Sequence, residues 1–166
     1  MIIYSDILTG DELFSDAFDV KEVGAAMEVD CKMIVVGSVE VNTGANASAE
    51  ETEEALEDGA ETVNNVVYAH RLHATVFDKK SYTVYIKGYL KAVMAALQEK
   101  SPEKVDTFKK ESAELVKKVL ANIKDYEFYT GESMNPDGMV ALLNYREDGV
   151  TPYFTFFKDG LKSMKV

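Results

Sequence analysis

Apolar and polar residues alternate near the start of the chain with the two-residue period of a half-buried β-strand. In the segment MIVVGSVEV, four apolar residues fall on one face: Met33, Val35, Val39 and Val41. Two shorter strand-like runs, MIIY and FDVKEV, precede this segment, and a turn signal at residues 9–11 lies between them. The pattern predicts a sheet from residue 1 to about residue 41.

The next segment, residues 43–65, is small, polar and acidic, and it offers almost nothing to a hydrophobic core. Because so little burial cannot offset the entropy lost on ordering, we predict a flexible acidic loop here. A strand is expected to follow in VVYAHRLHATVF, where five residues share one face: Val66, Tyr68, Leu72, Ala74 and Val76. We expect this strand to lead directly into helices.

Two amphipathic helices are predicted in the middle of the chain. Apolar residues recur at three- and four-residue steps from Tyr82 to Leu97 and again from Val105 to Ile123. Between them, Ser101 is suited to cap the second helix, and Pro102 fits its first position, where a missing N–H is harmless. Because the connection is short, the helices should form an antiparallel hairpin, which we place at residues 79–124.

The final part of the chain returns to strand-like runs rich in aromatic and branched residues: YEFYTG, MVALLNY and TPYFTFF. Turn signals at residues 135–138 and 147–149 separate them. Sheet, helical hairpin and sheet make an α+β arrangement. Since no repeat or linker divides the chain, we predict a single domain over residues 1–166, with the acidic loop inserted in a sheet.

Charge is distributed unevenly along the 166 residues, whose formal net charge is −11. No basic residue lies between Lys32 and Arg71, whereas eleven lysines and only five acidic residues lie from Lys79 to Lys124. The acidic balance repels phosphate backbones and anionic lipids, so we expect no nucleic-acid partner. No apolar run is long enough to span a membrane.

The compartment can be inferred from the single cysteine and from the start of the chain. Cys31 has no partner for an internal disulfide and is expected to be a structural thiol. The first residues, MIIYSDIL, lack the basic start and apolar stretch of a secretory signal. We therefore expect a reducing, cytoplasmic location.

The residues that could carry catalysis or bind a metal form no strong pattern. His70 and His73 are three apart, and on a strand such residues point to opposite faces, so they should not share a metal ion. No phosphate-binding glycine loop and no G-x-S-x-G turn occur. The acidic loop lacks the spacing of an EF-hand, so calcium would bind weakly and through unknown ligands. We expect a binding protein without a tightly bound cofactor.

Several stretches resemble the translationally controlled tumour protein family. TGANASAE, at residues 43–50, and FYTGESMNPDGMVALLNYREDGVTPYFTFFKDGL, at residues 128–161, look like its two signature regions. MIIYSDILTGDELFSD, YIKGYLK and LANIKDYEFY resemble the same family, so the likeness runs through the chain in order. The resemblance implies a twisted, Mss4-like β core with a projecting helical hairpin and a disordered acidic loop.

The resemblance also implies binding activities: calcium, tubulin and microtubules, small GTPases and their exchange factors, and Bcl-2 relatives that control apoptosis. By position, Glu12 matches the acidic residue that the family is thought to use against a small GTPase, and Glu132 matches an acid of the neighbouring groove. Residues 16–27 lack the small-residue-then-aspartate step of a BH3 helix, which argues against Bcl-2 binding. Guanine nucleotide exchange on a small GTPase stays open as an alternative function.

The second predicted helix carries a lysine-rich face. Four lysines fall mostly opposite its apolar stripe: Lys109, Lys110, Lys117 and Lys118. This face is suited to long-range attraction toward an acidic partner, such as the tails of tubulin. The alternative is an ordinary solvated helix face.

Overall fold

A computed structural model describes residues 1–36 and 61–166 of the chain. Its strands are β1 (Ile2–Asp6), β2 (Glu12–Ser15), β3 (Asp19–Val23), β4 (Ala26–Asp30), β5 (Met33–Val36), β6 (Glu61–Asn64), β7 (His73–Thr75), β8 (Glu127–Thr130), β9 (Ala141–Tyr145), β10 (Pro152–Phe157) and β11 (Leu161–Lys165). Its α-helices are α1 (Asn65–His70), α2 (Lys79–Lys100) and α3 (Val105–Ala121), and short 3₁₀ turns cover Pro102–Lys104, Ile123–Asp125 and Lys158–Gly160.

The strands form three antiparallel sheets. The largest has the order β3-β4-β10-β9-β8-β7, the second has the order β11-β1-β2, and β5 pairs with β6 as the only partner among the described strands. The two ends of the described chain meet in the second sheet, where Ile2 pairs with Lys165. The predicted α+β class is confirmed by this mixture of sheets and helices.

Strand β10 lies at the centre of the core because both of its faces are covered. Phe156 contacts Phe14 of β2 with ring centroids 4.6 Å apart, and Phe157 contacts Tyr89 of α2 at 5.6 Å. All six residues of the strand are buried. A strand covered on both faces needs no polar alternation, which explains the nearly continuous apolar run PYFTFF.

The helical hairpin is present where the sequence predicts it. The side chain of Asp78 accepts a hydrogen bond from the Ser81 N–H at 2.7 Å, and the Ser81 hydroxyl accepts one from the Asp78 N–H at 3.0 Å, so a capping box begins α2. The apolar stripe of α2 is buried as predicted: Tyr82, Ile86, Tyr89, Val93 and Leu97. The predicted cap at Ser101 is wrong: its side chain makes no capping hydrogen bond, and α3 begins only at Val105, after a 3₁₀ turn.

The strand predicted over residues 66–76 is wrong for its first half. The Asn64 side chain accepts hydrogen bonds from the N–H groups of Val66 and Val67, at 2.9 and 3.2 Å, and so caps a helix there. Helix α1 leaves Val66 fully buried but Tyr68 56% exposed, so these residues do not share a strand face. The capping contact outweighs the strand preference of the branched residues.

The boundary of the predicted acidic loop at 43–65 also needs correction. Residues 61–64 form β6, in which Val63 pairs with Ile34, and residue 65 begins α1. The rest of that loop, and residues 37–41 of the first predicted sheet, lie outside the described residues. Within the described ranges, no helix combines the length and apolarity needed to cross a membrane.

Candidate functional site

An acidic cleft of about 520 Å³ lies where three separate segments meet. It is lined by Gly10 and Asp11 from the β1–β2 turn and Glu12 at the start of β2, by Ala69, His70 and Arg71 from the end of α1, and by Glu132 from the loop after β8. Glu12 and Glu132, the two acids identified through the family resemblance, therefore line one cleft although they are far apart in the sequence.

The buried side chain of Asp6 holds the first of these segments in place. Its Oδ1 accepts a hydrogen bond from the Leu8 N–H at 2.8 Å, and its Oδ2 accepts one from the Met139 N–H at 2.7 Å. The turn itself needs Gly10, whose φ of 80° is a conformation that side chains disfavour. Asp6 thus fixes the β1–β2 turn and joins it to the loop that carries Glu132.

Asp11 makes a second connection between the same segments. Its Oδ2 accepts hydrogen bonds from the Ser133 N–H at 3.2 Å and from the Ser133 hydroxyl at 2.6 Å. Gly131 lies so close that a Cβ there would be 2.5 Å from the same oxygen. Glu132 is therefore held at a fixed place beside the turn, between two residues that contact Asp11.

The charges around the cleft are only partly paired. Arg71 Nη1 lies 3.2 Å from Glu132 Oε1, and these side chains are 74% and 58% exposed. Arg71 ends α1 in the left-handed region, with φ 54°. Within residues 1–36 and 61–166, no hydrogen bond or ion pair engages the carboxylate of Glu12. Glu12 is thus available for a cation supplied from outside.

His70 is the titratable base of the cleft. Its ring meets Phe18 edge-on, with centroids 5.9 Å apart. Burial lowers the pKa of His70 below its usual 6.5, and the nearby Glu12 carboxylate opposes this shift. The imidazole is therefore mainly neutral at pH 7. Three carboxylates, from Asp11, Glu12 and Glu132, and the single guanidinium of Arg71 leave the cleft with a net charge of −2.

The two histidines lie on different elements of secondary structure. His70 lies at the end of α1 and His73 on β7, so the prediction that both lie on one strand is wrong. In the part of the chain that the structure describes, no three His, Cys, Asp or Glu side chains come together as a metal site. Cys31 is buried, and burial raises the pKa of its thiol to about 11, as suits an unreactive thiol.

The four lysines of the predicted basic face all lie exposed on α3. They are Lys109, Lys110, Lys117 and Lys118, and the residues facing the core are Phe108, Ser112 and Val119. Asp106 and Glu114 are exposed at three- and four-residue spacing from these lysines. With Glu111 counted, four lysines and three acids leave α3 with a net charge of only +1.

The segment compared with a BH3 helix forms two strands instead. Residues 19–23 are β3 and residues 26–30 are β4, with Gly24 in the left-handed region at φ 56° between them. Val20 pairs with Val29 across this β-hairpin. A groove that selects an amphipathic helix could receive this segment only after the edge of the six-stranded sheet had opened.

Sequence reasoning missed a second concavity, which we call the Tyr68 groove. It has a volume of about 530 Å³ and is lined by Glu61, Val63, Val67, Tyr68, Ala69 and Arg71. The groove depends on helix α1 and strand β6, which the sequence analysis assigned to a strand and a loop. The signal that could have revealed it is Asn64, a residue type that often caps helices.

Comparison with known proteins gives consistent results over the whole chain. The model of the family described as translationally controlled tumour protein matches residues 1–162. A relative from Candida albicans, named translationally-controlled tumor protein homolog, is 60% identical over an alignment of 167 positions that covers 100% of each chain. The homolog of the same name from Schizosaccharomyces pombe is 59% identical and covers 99% of both chains.

Solved structures show the same similarity. The translationally controlled tumor-associated protein of Schizosaccharomyces pombe has a TM-score of 0.85 to this structure at 59% identity, with 100% of both chains covered. The NMR structure of translationally-controlled tumor protein from Caenorhabditis elegans has a TM-score of 0.73 at 32% identity, covering 100% of this chain and 99% of that one.

Proposed function

Because the chain belongs to the translationally controlled tumour protein family, we propose that it works by binding other proteins and that the acidic cleft is its docking site for a small GTPase. One observation carries the proposal: Glu12 and Glu132 line the same cleft, and the Glu12 carboxylate has no partner within the described residues. The role of these two acids comes from the family resemblance, and their proximity supports it.

The chemistry of the cleft suits a cationic side chain of a protein. Pockets for small molecules are lined mainly by apolar groups, whereas here most lining residues are charged or polar. A lysine or arginine of a partner would meet a net charge of −2 and could pair with Glu12 without breaking an existing bond. Such charge complementarity favours encounter and fixes the register of docking.

The test is binding of a nucleotide-free small GTPase to wild type and to Glu12→Gln, measured by calorimetry. Removal of the charge should weaken binding by roughly five- to tenfold, which corresponds to a contact of about 1 to 1.4 kcal/mol. Glu147→Gln is the matched control, because Glu147 is an exposed acid on a different turn. Equal affinities of all three proteins would contradict a role of Glu12 in docking.

Exchange catalysis is the alternative use of the same cleft. A catalyst accelerates release of a fluorescent GDP analogue from the GTPase when present in substoichiometric amounts, whereas a binding protein does not. We favour binding, because the fixed carboxylates of the cleft account for docking without any further assumption about nucleotide release. Acceleration that is lost in Glu12→Gln would establish the alternative.

A second partner is supported by the exposed lysines of α3. We propose that acidic tails of tubulin are attracted to Lys109, Lys110, Lys117 and Lys118 in the cytoplasm. The surplus positive charge of the hairpin, eleven lysines against five acids over residues 79–124, supports this proposal. Weak calcium binding also remains a proposal from the family resemblance, and we assign no ligands to it.

A further inference from the structure

The acidic cleft and the Tyr68 groove are neighbours that share part of their walls. Ala69 and Arg71, at the end of α1, line both of them. A partner that enters the cleft therefore comes within reach of the groove without crossing another structural element. The two concavities differ in chemistry, because three carboxylates line the cleft whereas the groove has two valines, a tyrosine and a single carboxylate, that of Glu61.

The groove exposes an aromatic side chain that the core does not use. Tyr68 is 56% exposed, and its ring stacks on no other aromatic ring within the described residues. Val63 and Val67 beside it are half-buried. Tyrosines in such positions often contribute much of the energy of a protein interface, because a rigid ring covers a large area with little loss of entropy.

Arg71 lies at the boundary between the two concavities and already pairs with Glu132. Both side chains are largely exposed, and exposed ion pairs are weak. An incoming cation can therefore replace Arg71 on Glu132 with little cost in free energy. Arg71 thus competes with an incoming cation for the carboxylate of Glu132.

We propose that the acidic cleft and the Tyr68 groove form one docking surface for a partner segment that presents a lysine or arginine beside an aromatic or large aliphatic side chain. The cation pairs with Glu12 and Glu132, the apolar side chain packs on Tyr68, Val63 and Val67, and Arg71 weakens binding by competition. This proposal rests on the proposed function of the cleft and specifies the chemistry of its partner.

The first test uses three capped peptides and amide NMR spectra of the full chain. The peptides are Gly-Gly-Arg-Phe-Gly-Gly and its counterparts with Gln in place of Arg and with Ala in place of Phe. The Arg-Phe peptide should shift amide signals of both the cleft, at Glu12 and Glu132, and the groove, at Val67 and Tyr68. Each counterpart should bind at least about fivefold more weakly. Shifts confined to one concavity, or equal affinities, would overturn the proposal.

The second test uses variants with opposite expected effects. Tyr68→Ala should weaken binding of the Arg-Phe peptide by about fivefold. Tyr145→Ala, at an exposed tyrosine of β9, should leave the affinity unchanged. Arg71→Gln should tighten binding by up to about fivefold, because it removes the competing cation. A purely structural role of Arg71 predicts the opposite sign, so weaker binding by Arg71→Gln would count against the proposal.

The same variants, tested with a nucleotide-free small GTPase, separate this inference from the proposed function. If wild type binds the Arg-Phe peptide across both concavities but does not bind the GTPase, the identity of the partner is wrong and the inference stands. If the GTPase binds through Glu12 but neither Tyr68→Ala nor Arg71→Gln changes its affinity, the inference is wrong and the proposed function stands.

Discussion

The acidic cleft and the lysine face of α3 are both charged surfaces, but their charges are held in different ways. In the cleft, buried Asp6 and the Asp11–Ser133 contacts join the two segments of backbone that carry Glu12 and Glu132. On α3, four exposed lysines stand on one helix, and none of them forms an ion pair within the described residues. A fixed surface can select the shape of a partner, whereas solvated lysines supply mainly long-range attraction that salt screens.

The largest effect should come from removing the buried carboxylate that holds the cleft together. Asp6→Ala leaves the N–H groups of Leu8 and Met139 without their acceptor. Hydrogen bonds to a charged group contribute roughly 1.5–3 kcal/mol each, so the free energy of unfolding should fall by about 3 kcal/mol. Urea unfolding at pH 7 measures this change. Asp137→Ala, at an exposed acid of the same loop, should be nearly neutral, and a loss below about 1 kcal/mol in Asp6→Ala would contradict this account.

A smaller loss of stability is expected where a glycine lies against the cleft. Gly131→Ala would place a Cβ 2.5 Å from Asp11 Oδ2, so the Asp11–Ser133 contacts must shift. We expect the free energy of unfolding to fall by about 1–3 kcal/mol and GTPase binding to weaken as Glu132 moves. Gly88→Ala on α2 is the control, because nothing lies within 4 Å of its Cβ and alanine favours helix. If thermal unfolding shows that both variants are more stable than wild type, the close contact at Gly131 does not limit stability.

The lysine face should respond to charge reversal without loss of stability. Replacing Lys109, Lys110, Lys117 and Lys118 with glutamate changes the charge of α3 from +1 to −7. Co-sedimentation with microtubules should disappear at low salt, while the free energy of unfolding should change by no more than about 1 kcal/mol. Reversal of four exposed lysines outside the hairpin is the control: Lys21, Lys32, Lys162 and Lys165. If both variants pellet like wild type, α3 is not the tubulin surface.

The smallest effect concerns the protonation of the cleft. Burial lowers the pKa of His70 below its unfolded value of 6.5, so the unfolded chain binds this proton more readily. The contribution of His70 to stability is therefore present above pH 6.5 and is lost as the pH falls through its folded pKa. Since the Glu12 carboxylate opposes the shift, Glu12→Gln should lower the pKa of His70 further. NMR titration of the His70 ring measures this, and an upward change would show that Glu12 does not act on His70.

The hairpin was predictable from sequence because its information is local. The stripe from Tyr82 to Leu97 repeats at helical spacing, and the stripe alone identifies the buried face of α2. Helix α1 was missed for the converse reason: Val66 and Val67 favour strands, and only the capping contact from Asn64 decides the conformation. Met33 and Val35 do share one face of β5, but both side chains are exposed, and among the described strands β5 pairs only with β6.

The candidate site was predictable only in part. Glu12 and Glu132 came from the family resemblance, and nothing in their spacing indicates that they meet. Their proximity depends on contacts between distant segments, such as Asp11 with Ser133 and Arg71 with Glu132. A single sequence does not encode such pairs in a readable pattern, because each partner looks like an ordinary polar surface residue.

The central claim is that the cleft, and not the lysine face, receives the GTPase. It is tested most directly by amide NMR spectra of the full chain during titration with a nucleotide-free small GTPase. The account predicts that signals of Gly10–Glu12, Ala69–Arg71 and Glu132 change, while those along the exposed face of α3 stay in place. Changes confined to α3, with the cleft signals unaltered, would contradict it.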